Sequence, residues 1–425
     1  MSGVRLLASD GAELDPGQLH VEDMELHAGE LAAVVQAATR AGRVLARDGF
    51  ALRGLGEAAA IELPAGLGEK GAARAAAALL AALPAEGRTR AVALGALPFD
   101  PAAPARLTVP RLVVREEDGA SRALVVLPAG ERVDRGALLG ALTAGNGHPT
   151  APPERFHLAP AGSHASFRRR VAAALQEIES GRFDKVVLAR EVTVHADRPF
   201  RPEHLVGRLR RLHPSCCTFS VDGVVGASPE LLVRRRGEAV TSQPLAGTVG
   251  RSGDPDEDRR LAESLLASDK ERAEHRYVVD AIRDALAPFS AALSVPETPH
   301  LMELRNVVHL ATTIEGRLAA DRAGCLELTA AVHPTPAVCG TPREAALQYL
   351  REEEHLRRDR YAGPVGYLDG DGDGEFWLAI RSAMIDGRDA RLLAGVGIVA
   401  GSVPDDELAE TQLKLQALLA AAVRP

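Results

Sequence analysis

CCTFSVDGVVGASPELLVRRRGEAVTSQPL, residues 216–245, alternates short apolar runs with Asp-Gly, Ser-Pro and Arg-Gly breaks, and reads as a meander of strands. Upstream, FDKVVLAREVTV (183–194) is a further strand, set between the helices FRRRVAAALQEIESG (167–181), which ends at Gly181, and PEHLVGRLRRLH (202–213). Downstream, residues 254–289 read as one long helix with acidic residues in its first turn, where the helix dipole favours them. The strands VVHLATTIEGRL (307–318), AGPVGYLDG (362–370), GEFWLAIRSAMID (374–386) and ARLLAGVGIV (390–399) follow, and DDELAETQLKLQALLAAAV (405–423) closes the chain as a helix. Meandering strands with interspersed helices predict a mixed α/β or α+β fold with antiparallel sheets. No segment has the character of a βαβ dinucleotide unit: the glycines of LLAGVGIVAGS lack the acidic residue expected about twenty positions later.

The first 160 residues say less. Residues 29–46 and 72–83 read as helices, and 91–99, 106–116 and 122–128 as strands joined too tightly for crossover helices, hence antiparallel. The stretch 141–162 is the best linker candidate or a long surface loop.

Composition is that of a soluble globular chain: 425 residues, 46% apolar, 25% charged, and only 3% aromatic, so the core is aliphatic. A net charge of -8 argues against wholesale attraction to nucleic acid or an anionic membrane; an anionic substrate needs a local basic pocket or a metal ion. Cys216, Cys217, Cys325 and Cys339 contain no CxxC pair, which argues against a zinc site or disulfide framework and suits a reducing, cytoplasmic setting. The N-terminal segment lacks the apolar run of a signal peptide, and the Ala-rich run 71–83 is too short to span a bilayer.

Only four of the fifty basic residues are lysine: Lys70, Lys185, Lys270 and Lys414. In a chain that uses arginine for ordinary positive charge, lysines mark positions where an ammonium that can lose its proton is needed. Lys185 and Lys414 are the stronger candidates and Lys70 the weakest; chance survival on the surface is the alternative.

On the closing helix Glu407, Glu410 and Lys414 fall at i, i+3 and i+7, on one face; Glu271 and Glu274 form a second i, i+3 pair. Two such carboxylate pairs suit a hard cation such as magnesium. Solvated helix faces are the competing reading, and nothing local shows that the two helices meet. Glu230, beside a Gly-Ala-Ser-Pro turn, is either a partly buried proton donor or an exposed strand-edge residue. PLAGT offers a turn whose backbone approaches a ligand closely, or a plain connection. His309 reads as a hydrogen-bonded core histidine. Arg381 follows the apolar FWLAI, so its buried charge needs an anionic partner from the protein or a ligand. DGDGDGE (369–375) is a hairpin turn rather than a calcium loop, since position twelve is Ile380.

Taken in order, FDKVVLAR, SPELLVR, PLAGT, SDKERAEH, HPTPAVCGTP, YAGPVGY, GEFWLAIRSA, AGVGIV and ELAETQLKL resemble the chorismate-utilising enzymes: isochorismate synthases, salicylate synthases and the chorismate-binding subunits of anthranilate and aminodeoxychorismate synthases. The resemblance covers residues 165–425 strongly and the divergent residues 1–160 only vaguely. It implies one large domain over 1–425, with two antiparallel sheets packed as a sandwich and helices outside. It also implies a magnesium ion on Glu274 and Glu410, supported through water by Glu271 and Glu407, that holds the ring carboxylate of chorismate. Arg381, with Lys414 and Tyr361 nearby, would hold the enolpyruvyl carboxylate, while Gly247, Thr248, His309, Ala337 and Gly395 line the pocket.

Relatives that use water carry a lysine at the position of Lys185, whereas ammonia-using ones typically carry glutamine. The lysine deprotonates water for attack on ring carbon two, and the residue matching Glu230 protonates the hydroxyl leaving ring carbon four. The lysine must be neutral to act, through desolvation or a neighbouring charge, and the glutamic acid must be protonated. Ala246 departs from the lysine of many aminodeoxychorismate synthases. The expectation is an isomerase, isochorismate synthase, feeding menaquinone or catechol siderophore synthesis. It would be a monomer or weak homodimer without a glutamine amidotransferase subunit. Salicylate synthase, which goes on to eliminate pyruvate, and a non-catalytic chorismate-binding protein are the rivals.

Overall fold

The strand Lys185–Ala196 is the backbone of the architecture. It runs antiparallel to Asp389–Val399 from the pair Lys185–Val399 to the pair His195–Asp389. In the computed structural model, which describes residues 3–85, 89–143, 151–320 and 323–423, this pair lies in a twelve-stranded sheet. A ten-stranded sheet faces it, and Leu245–Gly250, Val307–Ala311 and His300–Glu303 form a third sheet of three strands. Every ladder between named strands is antiparallel, as expected. The third sheet was not foreseen.

One continuous, mainly aliphatic core joins the inner faces of the two large sheets, with Leu52, Val113 and Phe219 on one side and Ile61, Leu107 and Phe376 on the other. Each such side chain withdrawn from water contributes roughly 1.5–3 kcal/mol. Both sheets use N-terminal strands as interior members. Arg43–Arg47 pairs with Cys217–Val221 in one, and Val92–Ala96 with Pro364–Asp369 in the other.

Five departures from the sequence reading share a cause: apolar periodicity does not register a helix end, a helix restart or a change of sheet. RVLA, read as the end of the first helix, is the strand Arg43–Arg47, because Gly42 adopts a left-handed conformation and ends the helix at Ala41. The long helix is two, Pro255–Ala267 and Asp269–Leu286, parted at Ser268, whose extended backbone and side chain cap the second. Residues 106–116, 307–318 and 374–386, each read as one strand, form two strands in different sheets. Much of the linker candidate is ordered, its ends lying in the helix Arg135–Thr143 and the strand Phe156–Pro160, while 144–150 lie outside the described residues. The four cysteines are buried free thiols. Among the described residues, no helix is long and apolar enough to cross a membrane.

Candidate active site

Two of the crossovers between the large sheets lie side by side and frame the site. Ser228-Pro229-Glu230 leads from Val224–Ser228 in the twelve-stranded sheet to Leu231–Arg236 in the ten-stranded one, and residues 379–381 return from Gly374–Leu378 to Ser382–Asp386. The crossovers are stitched together: Leu378 N–H donates to Glu230 O at 3.1 Å and Ala227 N–H to Arg381 O at 3.1 Å. Arg381 takes a left-handed φ of 48°, a conformation a bulky residue seldom holds unless its surroundings impose it.

Between these crossovers, the third sheet and the helices Asp269–Leu286 and Pro404–Val423 lies a cavity with about 980 Å³ of empty space, part of it open to solvent. Lys185, Glu230, Gly247, Thr248, Glu271, Glu274, His309, Ala337, Tyr361, Arg381, Gly395, Glu407, Glu410 and Lys414 all line it. The residues that the resemblance assigned to the site thus reach one place, and the two carboxylate-bearing helices do meet. Of the four lysines, Lys185, Lys270 and Lys414 face the cavity, while Lys70 is exposed elsewhere.

Lys185 is 1% exposed and its Nζ lies 2.8 Å from Glu274 Oε1. Sequence reasoning looked to desolvation or a neighbouring charge to free this amine of its proton; the nearest charge is instead a carboxylate, which is a counter-ion for an ammonium. Burial pushes the Glu274 carboxyl up, but Lys185, then Lys414 and Lys270, outweigh it and hold it below the usual carboxylate range. Glu230 is 3% exposed. Burial raises it to about 8, against smaller opposing effects of a backbone hydrogen bond at Leu245 and of Lys185 and Lys414, so at neutral pH it carries its proton.

Glu271 accepts from Thr248 N–H at 3.2 Å, an arrangement made possible by a bulge at Gly247 (φ 75°), which shifts the register between Ala246 and Thr248. Burial, then Glu274, raises Glu271; burial, and the like charges of Glu410 and Glu274, raise Glu407 to about 7 against a hydrogen bond from Ser402 and the charge of Lys270. Lys414 Nζ pairs with Glu410 at 2.7 Å and donates to Gly395 O at 3.0 Å; Lys270 lies 3.7 Å from Glu407. The carboxylates therefore crowd one another and are only partly neutralised. Among the described residues no three potential ligands converge into a finished metal cage.

Arg381 Nη2 donates to His309 Nε2 at 2.8 Å, so the proton of the neutral ring resides on Nδ1, which faces Thr248 Oγ1 at 3.1 Å and Gly247 O at 3.3 Å. Burial, then Arg381 and Lys414, keep His309 well below its usual range. Arg381 Nη1 is buried without any partner. The anionic partner expected for this guanidinium is thus not a protein carboxylate: its neighbour is a neutral imidazole, and one donor is left over.

Sequence reasoning missed Gly397. A Cβ there would collide with Glu274 Oε1 and Lys185 Cε, so glycine makes room for the ion pair. It also missed Arg358, which lines the cavity but is fully engaged by Glu354, Val187 O and Val338 O at 2.6 Å each. Gly397 falls in the quoted AGVGIV motif; for Arg358 the sequence carries no comparable signal.

A family profile described as chorismate binding enzyme matches residues 46–423. The isochorismate synthase DhbC of Bacillus subtilis (strain 168) is 38% identical over 346 residues, covering 79% of this chain and 81% of that protein. The salicylate biosynthesis isochorismate synthase of Pseudomonas aeruginosa PAO1 is 46% identical over 268 residues, 61% of this chain and 55% of that longer relative. Among solved structures, MenF, the menaquinone-specific isochorismate synthase from Escherichia coli, superposes with a TM-score of 0.74 at 26% identity, over 96% of this chain and 95% of that one.

Proposed function

Because this chain belongs to the chorismate-binding enzymes, we propose that it is an isochorismate synthase, an isomerase that converts chorismate to isochorismate. The observation that carries the reading is the pairing, in one cavity, of a buried lysine with a buried glutamic acid that is protonated at neutral pH. Lys185, in its amine form, takes a proton from water as the oxygen adds to ring carbon two. The double bond shifts, and the hydroxyl on ring carbon four departs with the proton of Glu230. One water enters and one leaves, so the product is an isomer of the substrate. Water as nucleophile needs no ammonia, hence no glutamine amidotransferase subunit.

Chorismate carries two carboxylates. The unpartnered Nη1 of Arg381 supports this residue as the clamp for the enolpyruvyl carboxylate, with Lys414 and Tyr361 beside it. Gly247, Thr248, His309, Ala337 and Gly395 would shape the rest of the pocket. The metal reading rests on the donor set: oxygen ligands only, from two helices, with Glu271 and Glu407 destabilised as anions by burial and then by their carboxylate neighbours. That suits magnesium, which takes few protein ligands and keeps waters and substrate oxygens. Glu274 and Glu410 would hold it, with Glu271 and Glu407 behind them. When bound, it supplies positive charge to the ring carboxylate of the substrate.

The test is product analysis after incubation with chorismate and magnesium. We expect an isobaric product separable from chorismate, formed without pyruvate and abolished by a chelator. Pyruvate with fluorescent salicylate, in the absence of a partner enzyme, would make the protein a salicylate synthase. Binding without turnover would reduce it to a chorismate-binding protein.

A further inference from the structure

On the strand Lys185–Ala196, beyond the catalytic residues, lies a second cavity that shares no lining residue with the first and has a similar empty volume of about 980 Å³. Its wall carries Arg169, Arg170 and Arg190 around Phe167. The guanidinium carbons of Arg170 and Arg190 sit 5.4 and 5.6 Å from the centre of the Phe167 ring, so two like charges flank one aromatic side chain. Neither meets a carboxylate. Arg170 donates to the backbone oxygens of Glu354 and Ala189 at 3.0 and 3.2 Å, and Arg190, 7% exposed, donates to Thr411 Oγ1 at 3.0 Å.

Arg169 is exposed at the rim and makes no ion pair or hydrogen bond among the described residues. The two carboxylates on the wall are already taken: Glu191 by Arg391 at 2.7 Å, and Glu354 by Arg358 at 2.6 Å. Buried guanidinium groups in proteins are ordinarily paired, because removing a charge from water is costly without a partner. Burial, then the nearby Arg170, press Arg190 below its usual range, and at Arg170 burial outweighs the opposing charge of Glu354. Gly162, Ser163 and Ser166, at the start of the helix His164–Glu179, close the cavity with the positive end of a helix dipole.

We propose that this cavity binds a small oxyanion, of the phosphate or the carboxylate class, beside Arg170 and Arg190 with Arg169 at the entrance; guanidinium forks match both oxyanion geometries. The full-length protein would be titrated calorimetrically with sodium phosphate and separately with citrate, at ionic strength fixed by chloride, with thermal unfolding followed in parallel. Saturable binding of at least one anion and a rise in Tm are expected, and the arm that responds identifies the class. Arg169→Glu, a surface change that leaves the fold alone, and Arg190→Gln should each weaken binding at least tenfold. Arg381→Gln, in the catalytic cavity, should not. Binding lost in Arg381→Gln but retained in Arg169→Glu would place the anion in the catalytic cavity and overturn the proposal. So would the absence of binding by either anion at millimolar concentration.

Discussion

Glu230 owes its proton to its surroundings, since burial raises the carboxyl to about 8. A general acid works only while protonated, so turnover should fall about tenfold per pH unit above that point. Stability has the same sign: the folded state holds this proton more tightly than the unfolded chain, so the contribution is present at acid pH and is lost as pH rises through about 8. A kcat profile flat from pH 7 to 10 would remove Glu230 from the role. Lys185→Arg makes the complementary test. It keeps a cation opposite Glu274 but replaces a group that can give up a proton with one that cannot. We expect kcat to fall at least ~100-fold while chorismate still binds, measured by calorimetry and steady-state kinetics. Near-normal turnover would mean that another group is the base. Both residues were legible in the sequence, Lys185 through the scarcity of lysine and Glu230 through its place after a Ser-Pro turn. The counter-ion at Glu274 and the unpartnered nitrogen of Arg381 were not, because both depend on which helices and strands lie side by side.

At the scale of elements, Ser268 decides where two metal-candidate carboxylates point. Its hydroxyl accepts from Glu271 N–H at 3.3 Å and starts a new helix one residue after the previous one ends. Had the chain run through as one helix, as the apolar periodicity predicts, Glu271 and Glu274 would have continued the axis of Pro255–Ala267. A signal was present, since Ser-x-x-Glu over residues 268–271 is a capping-box spacing, but it sat inside a longer helical pattern that outweighed it. Ser268→Ala should cost about 1 kcal/mol of stability, read from urea denaturation. It should also raise the magnesium concentration needed for half-maximal turnover, with kcat at saturating metal largely kept. An unchanged magnesium dependence would show that the cap supports the helix without orienting the carboxylates. The split strands 307–318 and 374–386 teach the same lesson. Each reads as one run because both halves are apolar, and only the sheet each half joins reveals the break that places His309 and Arg381 on the cavity wall.

At the scale of the molecule, every residue lining the candidate active-site cavity falls between Lys185 and Leu418, yet the sheets that hold it are completed by the first 160 residues. Those residues resembled the family only vaguely, because what they supply is strand pairing and aliphatic burial, which many sequences satisfy. Removing them would strip Arg43–Arg47 from Cys217–Val221 and Val92–Ala96 from Pro364–Asp369, leaving two long unpaired edges in the middle of the sheets. It would also expose the Leu52, Ile61 and Leu107 side of the core. A fragment spanning residues 161–425 keeps every residue proposed for catalysis but should not fold. We expect aggregation on expression and, after refolding, no cooperative thermal transition and no turnover. The converse outcome is equally readable. A soluble, cooperatively melting fragment with chorismate turnover would divide the chain into two independent units and overturn the reading of residues 1–425 as one domain.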